Sequence, residues 1–513
     1  MTNPIRLMAS FVTVGGWTLI SRIAGFAREI LFANLFGSSA TAEAFQVAFA
    51  LPNMFRRFFA EGAFNMAFIP MFSKKLRAGE NAEEFANDAL NALAAILIAL
   101  SVIAIFAMPW LVYAMASGFQ GDERMDLAVM FGRVCFPYIL FISLAALFSG
   151  VLNASGKFAA AAAAPVFLNF ILTGAMLYAL WAGTDAGTAL VWGVPVAGIV
   201  QLGIVWYAAE KLGLKIRPRL PKWTPELKKL AIIAAPAAMA GGVVQINLLV
   251  GRQVASYYDG AIQWLAVADR LYQLPLGVVG IAIGVVLLPA LSSQLQAGDD
   301  KAGQDAFNRA TEFSLFLTLP SAVALVVIAL PLVSVLFERG AFLHSDSLAT
   351  AQALAIYGLG LPAFVLQKVL QPLYFAREDT KTPFYFALVS MLINAAVAIG
   401  LAYKYGFLAA AAGTTIAAWA MVVLLWNGTR TMGAASQFDS QIKQRVPRII
   451  ISSLIMGVIL FLAQNTLENW LFGTGARYLA FVILLLIGII VYFSAAHFTG
   501  ALKFSELRRV VRR

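Results

Sequence analysis

Two neighbouring stretches, S-R-I-A-G-F-A-R-E (21–29) and L-P-N-M-F-R-R-F-F-A-E-G (51–62), place charged side chains inside long apolar runs. Together they contain four arginines and two glutamates. A charge near the centre of a bilayer costs about 2.5–3.5 kcal/mol on insertion scales, so four arginines cost on the order of 10 kcal/mol. Such charges persist where they face a water-filled interior, and there they usually handle a substrate. The cationic excess predicts an anionic substrate held inside the membrane.

The composition of the whole chain is that of a polytopic membrane protein. Of its 513 residues, 61% are hydrophobic and only 12% are charged, whereas soluble domains carry about 25% charged residues. Apolar runs of 20 or more residues recur along the chain, which favours helices over the short alternating strands of a barrel. The single cysteine, Cys135, excludes an intramolecular disulfide. We find no cluster of metal ligands, so no metal site is predicted.

The apolar runs predict an all-α fold with fourteen transmembrane helices. Their bounds are 9–35, 44–72, 86–117, 125–152, 159–183, 187–211, 227–250, 261–295, 307–337, 347–376, 382–403, 407–430, 446–465 and 472–499.

Lysine and arginine residues predict the orientation of these helices. An even number of spans puts both termini on one side, and the connections on that side hold 25 of the 37 basic residues, against four on the other. Because positive residues concentrate in cytoplasmic loops, both termini are predicted to be cytoplasmic. The net charge of +11 is largely this topology signal, so no nucleic-acid partner is predicted.

A weak internal repeat divides the chain. A-F-I-P-M-F-S-K-K-L (67–76) resembles V-L-L-P-A-L-S-S-Q-L (286–295), and each closes a long span. Spans 1–6 and 7–12 are therefore predicted to form two pseudo-symmetric six-helix lobes, the geometry of a two-lobed transporter, with two extra C-terminal helices. The predicted domains are an N-lobe (1–212), a cytoplasmic linker (213–226), a C-lobe (227–431), and spans 13 and 14 with a basic tail (432–513).

The charges inside the spans leave two interpretations open. Asn53, Arg57 and Glu61 are spaced four apart and form one helix stripe, so pairs such as Arg57 with Glu61 could simply fix helix packing. Eight basic residues well inside spans, however, face three clear acids, Glu29, Glu61 and Asp269, and an uncompensated buried charge costs more than a pair. A wet cavity that receives an anion accounts for the excess. Arginine suits pyrophosphate because its fork donates bidentate hydrogen bonds.

Four motifs carry a resemblance to a known family. They are S-R-I-A-G-F-A-R-E (21–29), A-F-Q-V-A-F-A-L-P-N-M-F-R-R-F-F-A-E-G-A-F (44–64), A-D-R-L-Y-Q-L-P-L-G-V-V-G-I-A-I-G (268–284) and Y-F-A-R-E-D-T-K-T-P (374–383). The chain resembles the MurJ family, the bacterial lipid II flippases of the multidrug/oligosaccharidyl-lipid/polysaccharide exporter superfamily. The resemblance implies transport of undecaprenyl-pyrophosphate disaccharide-pentapeptide from the inner to the outer leaflet by alternating access through a cationic central cavity. It also implies residence in the bacterial inner membrane.

The resemblance, together with the charge pattern, gives a set of site residues. Substrate binding is assigned to Arg22, Arg28, Arg56, Arg270, Asn53 and Glu61. A gating or orienting role is assigned to Glu29, Glu43, Arg57 and Arg252. Family members often have Asp where this chain has Glu29 and Glu43, which keeps the charge and lengthens the reach. Some members bind sodium through a carboxylate on span 7, where this chain offers Gln245 and Asn247 instead.

Several alternatives remain at this point. The chain could export another lipid-linked oligosaccharide or cationic drugs, although a drug exporter should show an acidic cavity and twelve spans. It could also be a membrane scaffold whose charges serve packing only. No loop for ATP and no catalytic motif is present, so a transporter without a cofactor is expected, driven by membrane potential or an ion. The expected partners are lipid II, membrane lipids and cell-wall synthesis proteins.

Overall fold

Helices make up nearly all of the structure, a computed structural model that describes residues 4–56, 64–473 and 475–502. Over these residues no β-strand occurs, apart from an isolated bridge between Arg339 and Phe342. The chain packs as two compact units, residues 1–263 and 264–513. The prediction of an all-α membrane protein is confirmed.

The helices of the first unit follow the first seven predicted spans. They are α1 (Pro4–Phe36), α2 (Ala40–Arg56), α3 (Asn65–Ala78), α4 (Ala82–Phe106), α5 (Met108–Met115), α6 (Glu123–Cys135), α7 (Tyr138–Ala154), α8 (Ala159–Ala182), α9 (Ala186–Glu210) and α10 (Pro225–Ala255).

The second unit begins just inside α11 and contains the remaining spans. Its helices are α11 (Ala261–Gln296), α12 (Asp300–Val327), α13 (Ala329–Phe337), α14 (His344–Phe375), α15 (Lys381–Tyr405), α16 (Leu408–Gly428), α17 (Ser440–Thr466), α18 (Glu468–Leu471) and α19 (Arg477–Phe498).

Each predicted span coincides with at least one of these helices, and ten stretches are long and apolar enough to cross a membrane by length and composition among the residues searched. The number of fourteen crossings stays a prediction. Of the predicted spans that the structure describes throughout, three are each divided into two helices, at Ala107, Phe136 and Ile328. Each break lies one to three residues before a proline, whose nitrogen carries no N–H to bond the carbonyl four residues earlier.

Short polar side chains start many of the helices. An Asp or Thr at the N-cap accepts a hydrogen bond from a backbone N–H of the first turn, which satisfies a donor that the helix leaves unpaired. The N-caps with this bond are Asp122, Asp185, Thr224, Asp299 and Asp439. The polar connections between apolar runs therefore fix where helices begin.

The core of the second unit extends to the C-terminal helices. One cluster gathers Phe307, Leu373 and Leu425 from α12, α14 and α16, and all three are fully buried. A second cluster joins Ile328, after α12, to Leu460 of α17 and Leu484 of α19. The two helices outside the sequence repeat thus pack on the second unit.

The helix α10 packs with the first unit rather than with the second. Lys75 of α3 lies 3.7 Å from Glu226 at the start of α10. At the other end, the backbone N–H of Ser117 donates to the Oε1 atom of Gln253 (2.8 Å). The compact units therefore divide after residue 263, whereas the predicted lobes divide at the linker 213–226; the predicted domain bounds remain a prediction from the repeat.

Close packing between α15 and α16 gives a test of the fold. A Cβ atom at Gly413 would lie 2.6 Å from the Oδ1 atom of Asn394 and 2.9 Å from its backbone oxygen, whereas one at Gly400 would meet nothing within 4 Å. We expect Gly413→Ala to destabilise the protein by about 1–3 kcal/mol through overpacking. Gly400→Ala, the matched control, should be neutral or slightly stabilising. Thermal unfolding of the purified variants measures both, and equal midpoints would contradict the packing.

Candidate functional site

Glu29 of α1 is connected to two other helices, directly to α2 and through α2 to the first turn of α11. Its carboxylate lies 3.5 Å from the Nη2 atom of Arg28, the preceding residue on α1. The Nε2 atom of Gln46, on α2, lies 3.5 Å from Glu29 Oε1 and 3.0 Å from the Oε1 atom of Gln263, in the first turn of α11. Glu29 and Gln263 are buried. The arrangement is a polar connection through an apolar core, running from the predicted substrate arginine Arg28 to the start of α11.

Glu43 is the centre of a second, more strongly bonded group. Its side chain is 1% exposed and accepts the Nη1 hydrogen of Arg124 at 2.9 Å. Its other oxygen accepts the backbone N–H of Ile262 at 2.9 Å. A carboxylate can be buried to this degree because a guanidinium and a backbone donor replace the water that it loses. The bonds tie the first turn of α2 to α6 and to the first turn of α11.

Arg124 has further acidic partners. Its Nε atom lies 2.6 Å from Asp122 and its Nη2 atom 2.8 Å from Asp259. Partial burial opposes ionisation of Asp122, but hydrogen bonds from Arg124 outweigh it and lower the pKa of that carboxyl. The guanidinium also lies over the ring of Phe119, 4.6 Å from its centroid. Because Asp259 is 90% exposed, the buried pair with Glu43 contributes more to stability than this outer bridge.

The loop before α6 is also attached to the loop after α10. Gly118 donates its backbone N–H to the Oγ atom of Ser256 (3.0 Å), and the hydroxyls of Ser117 and Tyr257 lie 2.8 Å apart. A Cβ atom at Gly118 would lie 2.5 Å from the backbone of Ser256, so only glycine permits this approach. We call Glu43, Asp122, Arg124, Asp259 and Ile262 the Glu43 cluster, and this loop contact lies beside it.

The other predicted site residues of the first unit occupy different environments. Arg22 is exposed in the middle of α1, while Arg56 and Arg252 are half-buried near the ends of α2 and α10. Asn53 donates its side-chain amide to the backbone oxygen of Phe49 in its own helix (2.8 Å). The predicted residues Arg57 and Glu61 lie outside the described residues, as do the side chains of Gln245 and Asn247.

In the second unit, Arg270 is exposed on α11. Its neighbour Asp269 accepts a hydrogen bond from the side chain of Gln273. Tyr272, two residues after Arg270, is buried, with its ring 5.1 Å from that of Tyr357 and 5.5 Å from that of Phe364. One face of α11 thus packs by aromatic contact, while Arg270 is turned away from that packing.

The structure brings Glu43 and Glu29 together with residues that the sequence did not single out. Arg124, Asp122 and Asp259 lie in the connections between predicted spans, and Gln46 and Gln263 are neutral. None of the five is therefore a charged residue inside a predicted span. One signal was available: Arg124 is one of only four basic residues on the predicted outer side. A basic residue kept against that bias is expected to have an acidic partner.

Similarity to known proteins identifies the family of this chain. A family model described as Lipid II flippase MurJ matches residues 32–481. This chain belongs to the MurJ lipid II flippase family. Among MurJ relatives, the probable lipid II flippase MurJ of Rhizobium meliloti (strain 1021) is 43% identical and covers 99% of this chain and 97% of its own length. The lipid II flippase MurJ of Burkholderia cenocepacia is 37% identical and covers 76% of this chain and 77% of its own.

Solved structures agree with the MurJ assignment. The chain matches a lipid II flippase MurJ in an inward closed conformation with a TM-score of 0.81 and 27% identity, over 98% of this chain and 100% of the other. An inward-facing multidrug resistance transporter of the MATE family matches with a TM-score of 0.64 at 13% identity, over 84% of this chain and 98% of the other, which shows a shared fold alone. The expected family is confirmed, and a MurJ protein is a transporter rather than an enzyme.

The Glu43 cluster gives a stability test. Arg124→Leu leaves a buried carboxylate without its guanidinium, so we expect a loss of about 3–5 kcal/mol. Glu43→Gln leaves Arg124 its two aspartates and should cost less, about 1–3 kcal/mol. Lys404→Leu, which removes an exposed cation at the end of α15, is the control. Thermal unfolding in detergent ranks the three variants, and an Arg124→Leu midpoint equal to that of the control would contradict the cluster.

Proposed function

We propose that this protein carries lipid II from the cytoplasmic to the periplasmic leaflet by alternating access. We further propose that Arg22, Arg28 and Arg56 of the first unit bind its pyrophosphate, with Asn53 and Glu61 beside them. The same role is predicted for Arg270 of the second unit from its motif. Family membership supports the substrate, and the environments of the arginines support the site.

The exposure of Arg22 is the main observation that supports the proposed binding site. Arg22 lies in the middle of an apolar helix, yet its side chain is exposed from the protein. If that face met acyl chains, the guanidinium would incur the cost of a charge in hydrocarbon, so the face must meet water. An arginine that served helix packing alone would be buried against an acid. This exposure favours substrate binding over packing for Arg22, and Arg270 is likewise exposed on α11.

Arg28 combines substrate binding with a connection to the rest of the unit. Its side chain is 12% exposed and lies beside the buried Glu29. Glu29 orients the guanidinium and is itself approached by Gln46. A pyrophosphate that drew Arg28 away would weaken the pair with Glu29, and the change would pass along the polar connection to Gln263. Glu29 is therefore an orienting residue in this proposal.

The Glu43 cluster is proposed as a closure on the periplasmic side. The excess of basic residues on the opposite side supports this orientation, with both termini in the cytoplasm of a bacterium and the chain in its inner membrane. The cluster ties α2 and α6 to the start of α11. We propose that opening at this end separates Glu43 from its donors, so that the pair stabilises the closed state and water replaces its bonds in the open one. Arg57 and Arg252 remain proposed gating residues from their positions in the sequence.

The driving force is proposed to be the membrane potential. A cationic cavity that moves relative to the field gains about 2.3 kcal/mol per elementary charge per 100 mV. An ion gradient is the alternative. Cell-wall synthesis proteins and membrane lipids remain proposed partners.

The site is tested by removing single cations. We expect Arg28→Ala and Arg22→Ala to insert and fold normally yet to lower lipid II translocation at least about tenfold, because a charged hydrogen-bond donor contributes about 1.5–3 kcal/mol. Translocation is measured in proteoliposomes by the accessibility of labelled lipid II to an external reagent. Arg28→Lys should recover part of the rate, since it restores the charge without the bidentate fork.

Lys404→Gln serves as the matched control for this series, because it removes one exposed cation that has no proposed role. It should transport at the wild-type rate. Wild-type rates in both arginine variants would reject the site while leaving the family assignment untouched.

The energy source is tested in the same vesicles. With an imposed potential, translocation should accelerate by up to about 50-fold for each elementary charge moved across 100 mV. Collapsing the potential with valinomycin and equal potassium on both sides should remove the acceleration. A rate that responds to a proton or sodium gradient but not to potential would reject the potential as the driving force.

A further inference from the structure

Two asparagines of α4 hold the segment that leaves α9. The side chain of Asn87 donates to the backbone oxygen of Lys215 (3.3 Å) and accepts the backbone N–H of Arg217 (2.6 Å). One turn along α4, Asn91 donates to the oxygen of Arg217 (3.3 Å) and accepts the N–H of Arg219 (2.5 Å). The two amides therefore bind alternate residues of an extended chain, as a neighbouring β-strand would. We call this arrangement the asparagine clip.

The clip is fully bonded and buried. Asn87 and Asn91 are 0% and 5% exposed, and Ile216 between the clipped residues is 0% exposed. The second hydrogen of each amide bonds within α4, from Asn87 to the oxygen of Glu83 and from Asn91 to that of Asn87. Pro218 has no N–H to leave unsatisfied. Because every buried donor of the two amides has a partner, the clip holds the segment in one register.

The second unit contains one such asparagine, at the position equivalent to Asn87. Asn308 of α12 donates to the backbone oxygen of Gln437 (2.9 Å) and accepts the N–H of Asp439 (3.2 Å). Asn87 and Asn308 lie 221 positions apart, the spacing that also separates the helix breaks at Ala107 and Ile328. In both units, the third span of the repeat holds the chain that leaves the sixth.

In the first unit, the clip lies just before α10. Only residues 220–224 separate the last clipped residue from the helix. Thr224 caps the first turn of α10, and Glu226 in that turn pairs with Lys75 of α3. The far end of α10 is held through Gln253 and Ser256. Both ends of α10 are thus fixed to the first unit, although the repeat predicts that α10 begins the second lobe.

We propose that Asn87 and Asn91 are positioning residues for lipid transport: they fix the entrance to α10 against α4, so that α10 moves with the first unit. The inference rests on the proposed flippase activity. It places the flexible point of the transport cycle beyond the first turn of α11, where Ile262 is still bonded to the first unit, rather than in the linker before α10. The basic side chains of the clipped segment take no part, because the asparagines bond only to its main chain.

Hydrogen exchange tests the clip independently of transport. Single-residue exchange, measured by mass spectrometry on the full-length protein, should show protected amides at Arg217 and Arg219. Asn87→Ala should accelerate exchange at Arg217, and Asn91→Ala at Arg219, each by at least about tenfold, since each loses its acceptor. Asn427→Ala, at an exposed asparagine of α16, is the matched control and should change neither. Unprotected amides in the wild-type protein would overturn the clip.

Transport by the same variants tests its role. The Asn87→Ala/Asn91→Ala double variant should bind lipid II with wild-type affinity but translocate it about tenfold more slowly, and Asn427→Ala should match the wild type. Rescue separates positioning from general damage: in a Cys135→Ala background, Asn87→Cys and Arg217→Cys joined by a short bismaleimide should restore the rate.

Two outcomes would overturn the positioning role: faster exchange with an unchanged rate, or a slow double variant whose bridged counterpart stays slow. A wild-type protein that moves no lipid II would instead reject the proposed function, and the exchange result would still report on the clip.

Discussion

The bond between Glu43 and Arg124 is the interaction on which the arrangement of the first unit most depends. A carboxylate that is 1% exposed is tolerated only where charged and backbone donors replace water. The donors come from α6 and from the first turn of α11, so the requirement to satisfy one charge fixes the ends of three helices. Glu29 imposes a weaker version of the same requirement through Gln46 and Gln263. Charge satisfaction, more than apolar packing, sets how these helix ends meet.

The architecture was largely predictable, because membrane helices are recognisable in a sequence as long apolar runs. The helix breaks were not predicted, although Pro109, Pro137 and Pro331 follow them, because an apolar run stays apolar through a break. Hydropathy measures burial in lipid and is insensitive to a backbone that must change direction.

The site was predictable only in part, and for a different reason. Arg22, Arg28 and Glu29 stand out because a charge in an apolar run is costly and visible in the sequence. Gln46 and Gln263 are neutral, and their role depends on partners that are distant in sequence and close in space. Arg124 was visible as an exception to the charge bias, but nothing in its neighbours points to Glu43. Pairing across helices is a property of the fold and cannot be obtained from local pattern.

The asparagine clip has a consequence for how this part of the chain can change over time. Because the asparagines bond to main-chain N–H and C=O groups, they place few requirements on the side chains of the clipped segment. The exceptions are the buried apolar side chain of Ile216 and the need for a backbone N–H at residues 217 and 219. The clipped segment can therefore exchange its basic residues, gaining or losing charge toward whatever surface it meets, without altering the path of the backbone. Within these five residues the main chain makes the attachment, and the basic side chains set the charge of the surface. Selection can therefore change the surface charge while the attachment stays the same.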